Sequence, residues 1–576
     1  MLITCIVIAN PATAGDDKPS IYIPSELIPS NKVESGNGVA VFFDDSLSAF
    51  ATAPYLADKD AMDRDAATGA KQDPSQKPAY YCTSLQDQPC ANALNYMVFA
   101  ILQPCKSTED TFCIDDVYAN TPQGRVFGNF VENLPSTTAS DYAGDKSLGL
   151  PSGGPPTIWQ IPGVKNASGT DTYTVTVSSR GGGTRSSIKV PPNFTFLEWS
   201  AVIYATPLKS GSFTEANGWG SGGDTGLGGC ATTSKTKCAV RDSFIMNGTS
   251  FGISLRFPKA PASWFFGRLT KQKTTITKSS NGSGIILDIS GEPTMVPIVY
   301  GKTSWKSLPD DLQKFYGGRN FPFVGKMLGV SDPNDWNVTH FASSGAFSLL
   351  KSWLPLINDS AAALTTQWFV KASPFGTGPE CKSIDNSVVG LVSSNATAYV
   401  PGPPVFNKET QTLEYQVGAP HLTPSGNVFR GTYDLAIQGE YARCIYGFAK
   451  NAPVKATVSI VTENGQEIAA DEQVGETDGW FYLRASNFTF SSPKLRVKLS
   501  QVGASSATSN DVSKQPNSKS ANNPSNTSNS ASKKSASGLK GFVIKCANSK
   551  GKVIVTQGLV VKCPSGYKLV SKIARK

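Results

Sequence analysis

Apolar and polar residues alternate over short stretches through most of the chain, which is the pattern of half-buried β-strands. Residues 39–43 predict one strand, and residues 195–204 predict a longer, mostly apolar one. The segment TYTVTVSSRGGGTRSSIKV, residues 172–190, predicts two strands around a glycine-rich turn. The segment TTITKSSNGSGIILDIS predicts a second hairpin, with Asn281 and Gly282 at its turn. Strand, turn and strand therefore form the recurring unit.

Helical periodicity is concentrated between residues 305 and 357. Ser307 can cap a first helix, with Pro309 in its first turn. The acids Asp310 and Asp311 then lie near the positive end of the helix dipole. A second helix, which Pro355 bends or ends, is predicted because five apolar residues fall on one face. These five are Phe347, Leu350, Trp353, Leu354 and Ile357.

Residues 92–103 fit either a helix or a strand. Five apolar residues have helical spacing, namely Leu94, Met97, Val98, Ile101 and Leu102. The run MVFAIL within the same segment also suits a buried strand. Both structures remain open for this segment.

Residues 385–503 carry the clearest β pattern. Apolar segments stand between turns at intervals of roughly ten residues, which favours a β-sandwich. They are VVGLVSS, TLEYQVGA, GTYDLAI, KATVSIV, WFYLRAS and KLRVKLS. Residues 504–539, rich in Ser and Asn, hold almost nothing that could build a core, so a disordered linker is predicted.

These patterns divide the chain into six segments. We expect a signal peptide (1–14), an N-terminal mixed region with local disulfides (15–150), a mainly β central domain with a helical insertion (151–384), a β-sandwich domain (385–503), a disordered linker (504–539) and a small basic β module stapled by a disulfide (540–576).

Composition supports a mainly β, multidomain fold with β-sandwich-like domains. The 576 residues are too many for one core. Gly and Pro together number 91, and only 17% of the residues are charged, which favours short strands and many turns over long helices.

The net charge of +9 is unevenly distributed. Residues 540–576 contain eight Lys, one Arg and no acidic residue, so the preceding 539 residues balance at 44 basic against 44 acidic. The whole excess of positive charge therefore lies at the C-terminal end.

The first residues predict export. A short apolar run from Leu2 to Ala9 leads to the small residues Ala12, Thr13 and Ala14, and we expect cleavage after Ala14. The alternative is a buried first strand. No later segment is long and apolar enough to cross a bilayer, so a secreted or cell-surface protein is predicted.

Cysteine usage agrees with export. Apart from Cys5 there are ten cysteines, and three pairs are each eight residues apart: Cys82 with Cys90, Cys105 with Cys113, and Cys230 with Cys238. Local bonds are the simplest assignment, and they leave Cys381 with Cys444 and Cys546 with Cys563. A nested arrangement, Cys82 with Cys113 around Cys90 with Cys105, competes with it.

The candidate catalytic motifs favour structural interpretations. Residues 248–252 match the hydrolase pattern G-x-S-x-G, but their flanks are strand-like, whereas the catalytic motif joins a strand to a helix. Asp310 and Asp311 are adjacent, whereas glycoside hydrolysis needs carboxylates across a cleft. We therefore predict no catalytic residue.

Metal and cofactor sites are not predicted either. No Cys-x-x-Cys occurs, and the two histidines, His340 and His421, stand far apart in the sequence. The glycine-rich residues 218–229 lack the lysine of a phosphate-binding loop, so they predict a surface loop, in which Trp219 is the aromatic most expected to be exposed.

The C-terminal module is the predicted binding element. Three short apolar runs suit a small curled sheet, and a Cys546–Cys563 bond could supply roughly 3 kcal/mol of stability. Its surface should attract an anionic cell-envelope polymer or membrane headgroups, through Lys545, Lys550, Lys552, Lys562, Lys568, Lys572, Arg575 and Lys576. The alternative is a solvated cap that aids solubility. Nucleic acid is not an expected physiological partner of an exported protein.

Two stretches carry a resemblance. ARCIYGFAKNAPVKATVSI from residue 442, followed by DGWF and ASNFTF, resembles the end of a group of uncharacterised secreted proteins from actinobacteria. The terminal Cys546-x16-Cys563-Pro-Ser-Gly-Tyr resembles a small module that ends many exported proteins of that phylum. The resemblance implies export and a modular plan, and it assigns no functional residue.

Two functions follow as hypotheses. The first is a secreted, cell-envelope-associated protein without catalytic activity, with a binding or structural role and held by its basic module. The second is an extracellular carbohydrate-binding or carbohydrate-active protein, for which the nine tryptophans could supply sugar-stacking surfaces.

Overall fold

The computed structural model describes a large part of the chain. The described residues are 38–43, 53–68, 78–134, 140–211, 231–234, 236–259, 261, 264–280, 282, 284–304, 307–317, 337–341, 347–372, 381, 388–449, 453–461, 467–469, 471–490, 494–501, 542–548, 553–558 and 567–574. The chain forms two compact units, Met1–Ser505 and Ser506–Lys576. The predicted signal peptide (1–14) and linker (504–539) lie outside the described residues.

Strands dominate the first unit. From residue 38 to 160 the elements are β1 (Gly38–Phe43), β2 (Tyr55–Asp58), α1 (Lys59–Thr68), β3 (Tyr81–Cys82), β4 (Asn95–Ile101), β5 (Cys113–Thr121), β6 (Gly124–Phe127), β7 (Asn129–Asn133) and β8 (Thr157–Gln160). From 172 to 304 they are β9 (Thr172–Thr184), β10 (Asn193–Ala205), β11 (Leu208–Ser210), β12 (Ala231–Ser234), β13 (Lys237–Ala239), β14 (Ser250–Phe257), β15 (Trp264–Arg268), β16 (Thr270–Lys278), β17 (Ile285–Glu292) and β18 (Thr294–Ser304).

In the described residues of the later part of this unit, three helices lie among the strands. The elements are α2 (Asp310–Gly317), β19 (Asn337–Phe341), α3 (Phe347–Trp353), β20 (Ala363–Ala372), β21 (Gly390–Ser394), β22 (Ala398–Tyr399), β23 (Val405–Asn407), β24 (Thr412–Gly418), β25 (Gly431–Gln438), α4 (Gly439–Tyr446), β26 (Val454–Val461), β27 (Glu467–Ala469), β28 (Asp471–Thr477), β29 (Trp480–Phe488) and β30 (Lys494–Gln501). The protein is thus mainly β, as predicted.

Within the described ranges, sixteen strands join in one large sheet. Its main path is β28-β29-β25-β21-β15-β20-β10-β9-β4-β2-β3. Strands β18, β1 and β19 continue from β20, and β8 and β7 continue from β9. Strands from the predicted segments 15–150, 151–384 and 385–503 therefore share one sheet. The sequence did not predict this pairing, because apolar patterns indicate where strands are but not which distant strands they pair with.

A five-stranded sheet, β16-β17-β14-β5-β6, packs on the large sheet. Its inner residues Ile253 and Leu287 share a hydrophobic core with Val177 and Ile203 of the large sheet, and all four are fully buried. Burial of this kind stabilises by roughly 25 cal/mol for each Å² of apolar surface. The outer face of the five-stranded sheet carries polar side chains.

The sandwich predicted for residues 385–503 is present. A sheet of order β22-β24-β30-β26-β27, with β23 beside β24, packs on β25 and β29 of the large sheet. Val417 and Val497 meet Leu435 and Leu483 in this second core. The segment is not wholly β, however, since α4 follows β25 directly.

The prediction of a glycine-rich turn within residues 172–190 is wrong. Strand β9 continues through these glycines and pairs with both β10 and β4. A Cβ atom on Gly181 would lie 2.3 Å from the carbonyl oxygen of Thr195, and one on Gly183 would lie 2.5 Å from the Phe194 ring. Glycine therefore permits close packing between β9 and its neighbours. The second strand that was expected near residue 190 is absent, and turns and bends occupy residues 186–190 instead.

The ambiguous segment 92–103 is a strand. Tyr96, Val98 and Ala100 are buried in alternation with more exposed neighbours along β4. The helix alternative is therefore wrong. The apolar residues of the segment were compatible with a helical period of 3.6. As a strand, however, β4 pairs with β9 on one side and β2 on the other, which satisfies its backbone N–H and C=O groups.

Both predicted helices are present. Helix α2 begins at Asp310, and α3 continues after Trp353 as a single 3₁₀ turn, Leu354–Ile357, that contains Pro355. Trp353 is fully buried in a small core together with Val299 of β18. The helices therefore pack on a sheet, as expected.

Disulfide bonds join three of the predicted pairs: Cys82–Cys90, Cys105–Cys113 and Cys381–Cys444. The nested alternative for the first four cysteines is therefore wrong. Cys238 is also disulfide-bonded. Cys230 and Cys563 lie outside the described residues.

The second unit contains a three-stranded antiparallel sheet. Its strands are β31 (Phe542–Asn548), β32 (Val553–Gly558) and β33 (Tyr567–Ala574), in the order β32-β31-β33. Residues 543–544 and 553–555, two of the three predicted apolar runs, lie in β31 and β32, whereas the third run, residues 559–561, lies outside the described residues. In the described part of the chain, no helix has the length and apolar character needed to span a membrane.

Candidate functional site

A cleft of about 480 Å³ opens in the first unit where β16 of the five-stranded sheet meets β25, β28 and β29 of the large sheet. We call it the β16–β29 cleft. It is lined by Lys271, Gln272, Lys273, Thr275, Asp434, Leu435, Gly475, Thr477, Asp478, Tyr482, Leu483 and Arg484. Its volume falls within the range of small-molecule sites.

A β-bulge in β16 shapes one wall of the cleft. Thr270 lies opposite Glu292 and Lys273 lies opposite Ser290, so the two residues between them do not follow the regular pairing. Lys271, within the bulge, has a φ of 51°, a conformation that non-glycine residues seldom adopt. The bulge directs the Lys271 amide towards the carboxylate of Asp434, as bulges often do near functional sites.

Asp434 is the buried acid of the cleft. Its Oδ2 accepts a hydrogen bond from Thr270 Oγ1 at 2.9 Å, and its Oδ1 accepts one from the Lys271 amide at 3.0 Å. Burial raises the pKa of Asp434 to about 6. The nearby Arg484 charge and the two hydrogen bonds oppose that rise, whereas Glu292 adds to it.

Arg484 lies opposite Asp434 on the neighbouring strand β29. Its Nε is 3.9 Å from Asp434 Oδ1, which is too long for a hydrogen bond. This Nε is buried and has no hydrogen-bond partner among the described residues. The Arg484 charge therefore partly compensates the charge of Asp434 without a direct hydrogen bond between the two side chains.

Two lysines add positive charge. Lys271 Nζ pairs with Glu292 Oε1 at 2.6 Å. Lys273 is exposed on the same strand and lines the cleft. The charge of Lys271 is therefore compensated by Glu292, and that of Lys273 is compensated less.

Tyr482 connects the two sheets at the base of the cleft. Its hydroxyl lies 3.3 Å from both the backbone nitrogen and the backbone oxygen of Thr274. Burial raises the pKa of Tyr482 above its ordinary value, so the hydroxyl stays protonated at neutral pH. It can therefore both donate and accept hydrogen bonds.

No motif in the sequence singled out the residues of the cleft. A usable signal was present, because Asp434 and Arg484 are single charges within the apolar strands GTYDLAI and WFYLRAS. Charged residues are rarely buried unless they are paired, so each of the two charges could have indicated a buried partner. Which strand supplied that partner could not be read from spacing.

A second polar cluster occupies the outer face of the five-stranded sheet. Asp288 accepts hydrogen bonds from the Tyr118 hydroxyl at 2.6 Å and from Ser254 Oγ at 2.5 Å. The Arg125 guanidinium stacks over the Tyr118 ring, 3.8 Å from its centre. These groups satisfy one another, so we assign the cluster a structural role.

The G-x-S-x-G motif does not form a nucleophile elbow. Ser250 is the first residue of β14, which continues as a strand rather than entering a helix. Gly252 lies under the Tyr118 ring, where an added Cβ would come within 2.2 Å of it. The glycine at this position therefore serves packing, and the strand predicted from the flanks of the motif is confirmed.

The other candidate catalytic groups also have structural partners. Asp311, in the first turn of α2, accepts a hydrogen bond from Ser352 of α3, which lowers the pKa of Asp311. His421 Nδ1 pairs with Asp359 Oδ2, and the His421 amide donates to Asp359 Oδ1 at 3.0 Å. His340 lies in β19. Trp219 and the glycine-rich residues 218–229 lie outside the described residues.

The predicted anion-binding residues belong to the second unit. Lys545 lies in β31, and Lys568 and Lys572 lie in β33, which pairs with β31. The remaining residues of this set, Lys550, Lys552, Lys562, Arg575 and Lys576, lie outside the described residues. The described backbone thus places three of the eight residues on two adjacent strands.

Among the described residues, no group of three or more His, Cys, Asp or Glu side chains could hold a metal ion. Comparison with known proteins gives no family: no family model and no curated protein matches the chain. The resemblance to secreted actinobacterial proteins therefore stays a prediction.

Proposed function

We propose that the protein is an exported, non-catalytic binding protein that is held at the cell envelope by its C-terminal unit. The observation that carries this proposal is the separation of charge between the two compact units. Residues 506–576 contain 13 basic residues and one acidic residue, whereas residues 1–505 contain 40 basic and 43 acidic residues. Attraction to an anionic polymer or membrane surface would therefore come from the C-terminal unit.

Disulfide bonding supports the exported location. Three described disulfides are compatible with an oxidising compartment outside the cytoplasm, where such bonds persist. The apolar start of the chain and its small residues at positions 12–14 add the features of an export signal.

The proposal is tested by measuring retention on washed cells as salt is raised. The full chain is compared with a chain that ends at Val502. We expect retention of the full chain alone, with release by salt, because exposed charges are screened over about 8 Å at physiological ionic strength. Equal retention of both chains would refute attachment through the C-terminal unit.

A full-length control separates charge from the presence of the unit. In this variant Lys568, Lys572 and Arg575 are replaced by Gln, so the unit keeps its length with three fewer positive charges. We expect its release at lower salt than the natural chain. Release at the same salt concentration would show that these charges do not make the contact.

The second hypothesis, an extracellular carbohydrate-binding or carbohydrate-active protein, is favoured by the β16–β29 cleft. Its wall hydroxyls and charged groups are of the kind that bind sugars. Glycan turnover that one carboxylate substitution abolishes would establish an enzyme, whereas glycan binding without turnover would leave a carbohydrate-binding protein without catalytic activity.

A further inference from the structure

We infer that the first unit binds a neutral oligosaccharide on the face of the large sheet that points away from the five-stranded sheet. The contact residues are Tyr55, Tyr81, Phe99, Arg180 and Glu198, which we call the aromatic strip. The inference rests on the proposed role as a binding protein. It does not require attachment through the C-terminal unit, because all five residues belong to the first unit.

Strand pairing places four of these residues in one row. Tyr55 of β2 lies opposite Phe99 of β4, which lies opposite Arg180 of β9. Arg180 in turn lies opposite Glu198 of β10. Val98, the neighbour of Phe99, is buried in the core shared with the five-stranded sheet, and successive side chains of a strand point to opposite faces. The row therefore lies on the other face of the large sheet.

Three aromatic rings form one end of the strip. The rings of Tyr55 and Tyr81 are stacked, with centres 5.4 Å apart, and the centres of the Tyr55 and Phe99 rings are 5.7 Å apart. All three residues are partly exposed. An apolar surface that stays accessible beside polar groups is typical of a ligand-binding surface. The rings can therefore pack against the C–H groups of a sugar.

Arg180 and Glu198 form the polar end of the strip. Their side chains are 51% and 54% exposed, so a ligand can reach both charged groups. The distance from Arg180 Nη1 to Glu198 Oε2 is 3.9 Å, which is too long for a hydrogen bond, so the two groups do not saturate each other. The Arg180 guanidinium also lies 5.5 Å from the centre of the Phe99 ring, which joins the polar end to the aromatic end.

The charges of the strip select a ligand without net charge. Arg180 and Glu198 contribute one positive and one negative charge at opposed positions of adjacent strands. An anion attracted by Arg180 would be repelled by Glu198, and a cation would meet the reverse. Hydroxyl groups, in contrast, accept hydrogen bonds from the guanidinium and donate them to the carboxylate. A neutral polyhydroxyl ligand therefore uses both groups.

Tyr55 adds a hydroxyl close to the two charges. Burial raises the pKa of Tyr55, the Arg180 charge opposes this rise, and the Glu198 charge adds to it. The hydroxyl therefore stays protonated at neutral pH and can both donate and accept hydrogen bonds.

The length of the strip favours a chain of sugars over a single ring. The strip crosses five adjacent strands in the order β3-β2-β4-β9-β10. Four spacings of about 4.8 Å between neighbouring strands give a length of roughly 19 Å. A single sugar ring is shorter than this, so it would contact either the aromatic end or the polar end, whereas an oligosaccharide can contact both.

Calorimetric titration of the full chain with cellohexaose at pH 7 tests the proposal. Cellobiose serves as the short neutral ligand, and sodium hexagalacturonate as the long anionic one. We expect saturable binding of cellohexaose and at least roughly tenfold weaker binding of cellobiose, since the shorter ligand loses the contacts of one end. Absence of saturable cellohexaose binding at millimolar concentrations overturns the proposal. Equal affinity for cellobiose overturns the elongated site, and tighter binding of hexagalacturonate overturns the assignment of a neutral ligand.

Variants locate the site. Tyr55→Ala and Glu198→Ala should each weaken cellohexaose binding several-fold, whereas Phe127→Ala, which removes a 52% exposed aromatic ring on β6, should leave it unchanged. Glu198 is exposed, so its variant keeps the test valid even if Tyr55→Ala lowers stability. Unchanged binding by the Glu198 variant, or equal losses in the Glu198 and Phe127 variants, overturns the location. These titrations use the chain free in solution, so their outcome is independent of retention on washed cells.

Discussion

Asp434 shows how one residue couples the interior of the first unit to pH. Burial raises the pKa of Asp434 to about 6 in the folded chain, against an ordinary value of 3.8. Between these two values the folded chain keeps a proton that the unfolded chain has lost. The free energy of unfolding therefore falls as pH rises through this window, and the full loss of stability is reached above pH 6.

The variant Asp434→Asn should remove this pH dependence. A shift from 3.8 to about 6 corresponds to about 3 kcal/mol. We expect the natural chain to lose about that much stability relative to the variant between pH 4 and pH 7. Urea unfolding of both chains across this range measures the difference.

Asp478→Asn is the matched control, because Asp478 lines the same cleft but is exposed. Its stability should follow the natural chain at each pH. Parallel pH profiles for the natural chain and Asp434→Asn would contradict the raised pKa of Asp434.

At the residue scale, the sequence predicted packing better than it predicted the cleft. The apolar face of α3 and the strand that begins at Ser250 followed from local patterns. The proximity of Lys273, Asp434 and Arg484 did not, because it depends on how β16 approaches β25 and β29. Contacts between separate sheets leave no periodic signal in the chain.

At the scale of elements, glycine in β9 shows how composition misleads. Three consecutive glycines predicted a turn, yet they lie inside a strand with partners on both sides. The rings of Phe194 and Phe196 on β10 come within 2.5 and 2.7 Å of the positions that side chains at Gly183 and Gly181 would need. The aromatic residues of β10 and the glycines of β9 are therefore one packing feature.

The variant Gly181→Ala should destabilise the first unit. Its Cβ would lie 2.3 Å from the Thr195 carbonyl oxygen, a backbone atom that cannot turn aside. We expect a loss of about 1–3 kcal/mol, the usual cost of overpacking. Thermal unfolding measures it.

Gly475→Ala provides the comparison, because this glycine also lies in a strand but an added Cβ would have no atom within 4 Å. We expect its effect to be within about 0.5 kcal/mol. Equal unfolding temperatures for the two variants would show that the β9–β10 contact adapts more easily than the structure indicates.

Most strands were predictable, but their pairing was not. The segments between residues 385 and 503 gave β21, β24, β25, β26, β29 and β30 nearly at their observed bounds. Their spacing did not reveal that β21 pairs in parallel with β15, more than a hundred residues earlier. Helix α4 was missed because its eight residues, Gly439–Tyr446, form only about two turns and follow strand β25 directly.

At the scale of the whole molecule, the division into two compact units has consequences for stability. The hydrophobic cores that contain Val177, Leu435 and Trp353 lie within residues 1–505. A chain that ends at Val502 retains all of them.

We therefore expect the truncated chain to unfold at the same temperature as the first unit of the full chain. Calorimetric scans of both chains measure this. A decrease of several degrees on truncation would mean that the C-terminal unit stabilises the first unit, and loss of cell retention could then no longer be attributed to charge alone.

The opposed positions of Asp434 and Arg484 also limit which substitutions related chains can carry at these two positions. The two residues face each other across β25 and β29 and share one largely buried environment. Replacing the acid would leave a less compensated guanidinium, and replacing the arginine would leave a buried acid without its cation. Related chains should therefore keep or exchange the two residues together.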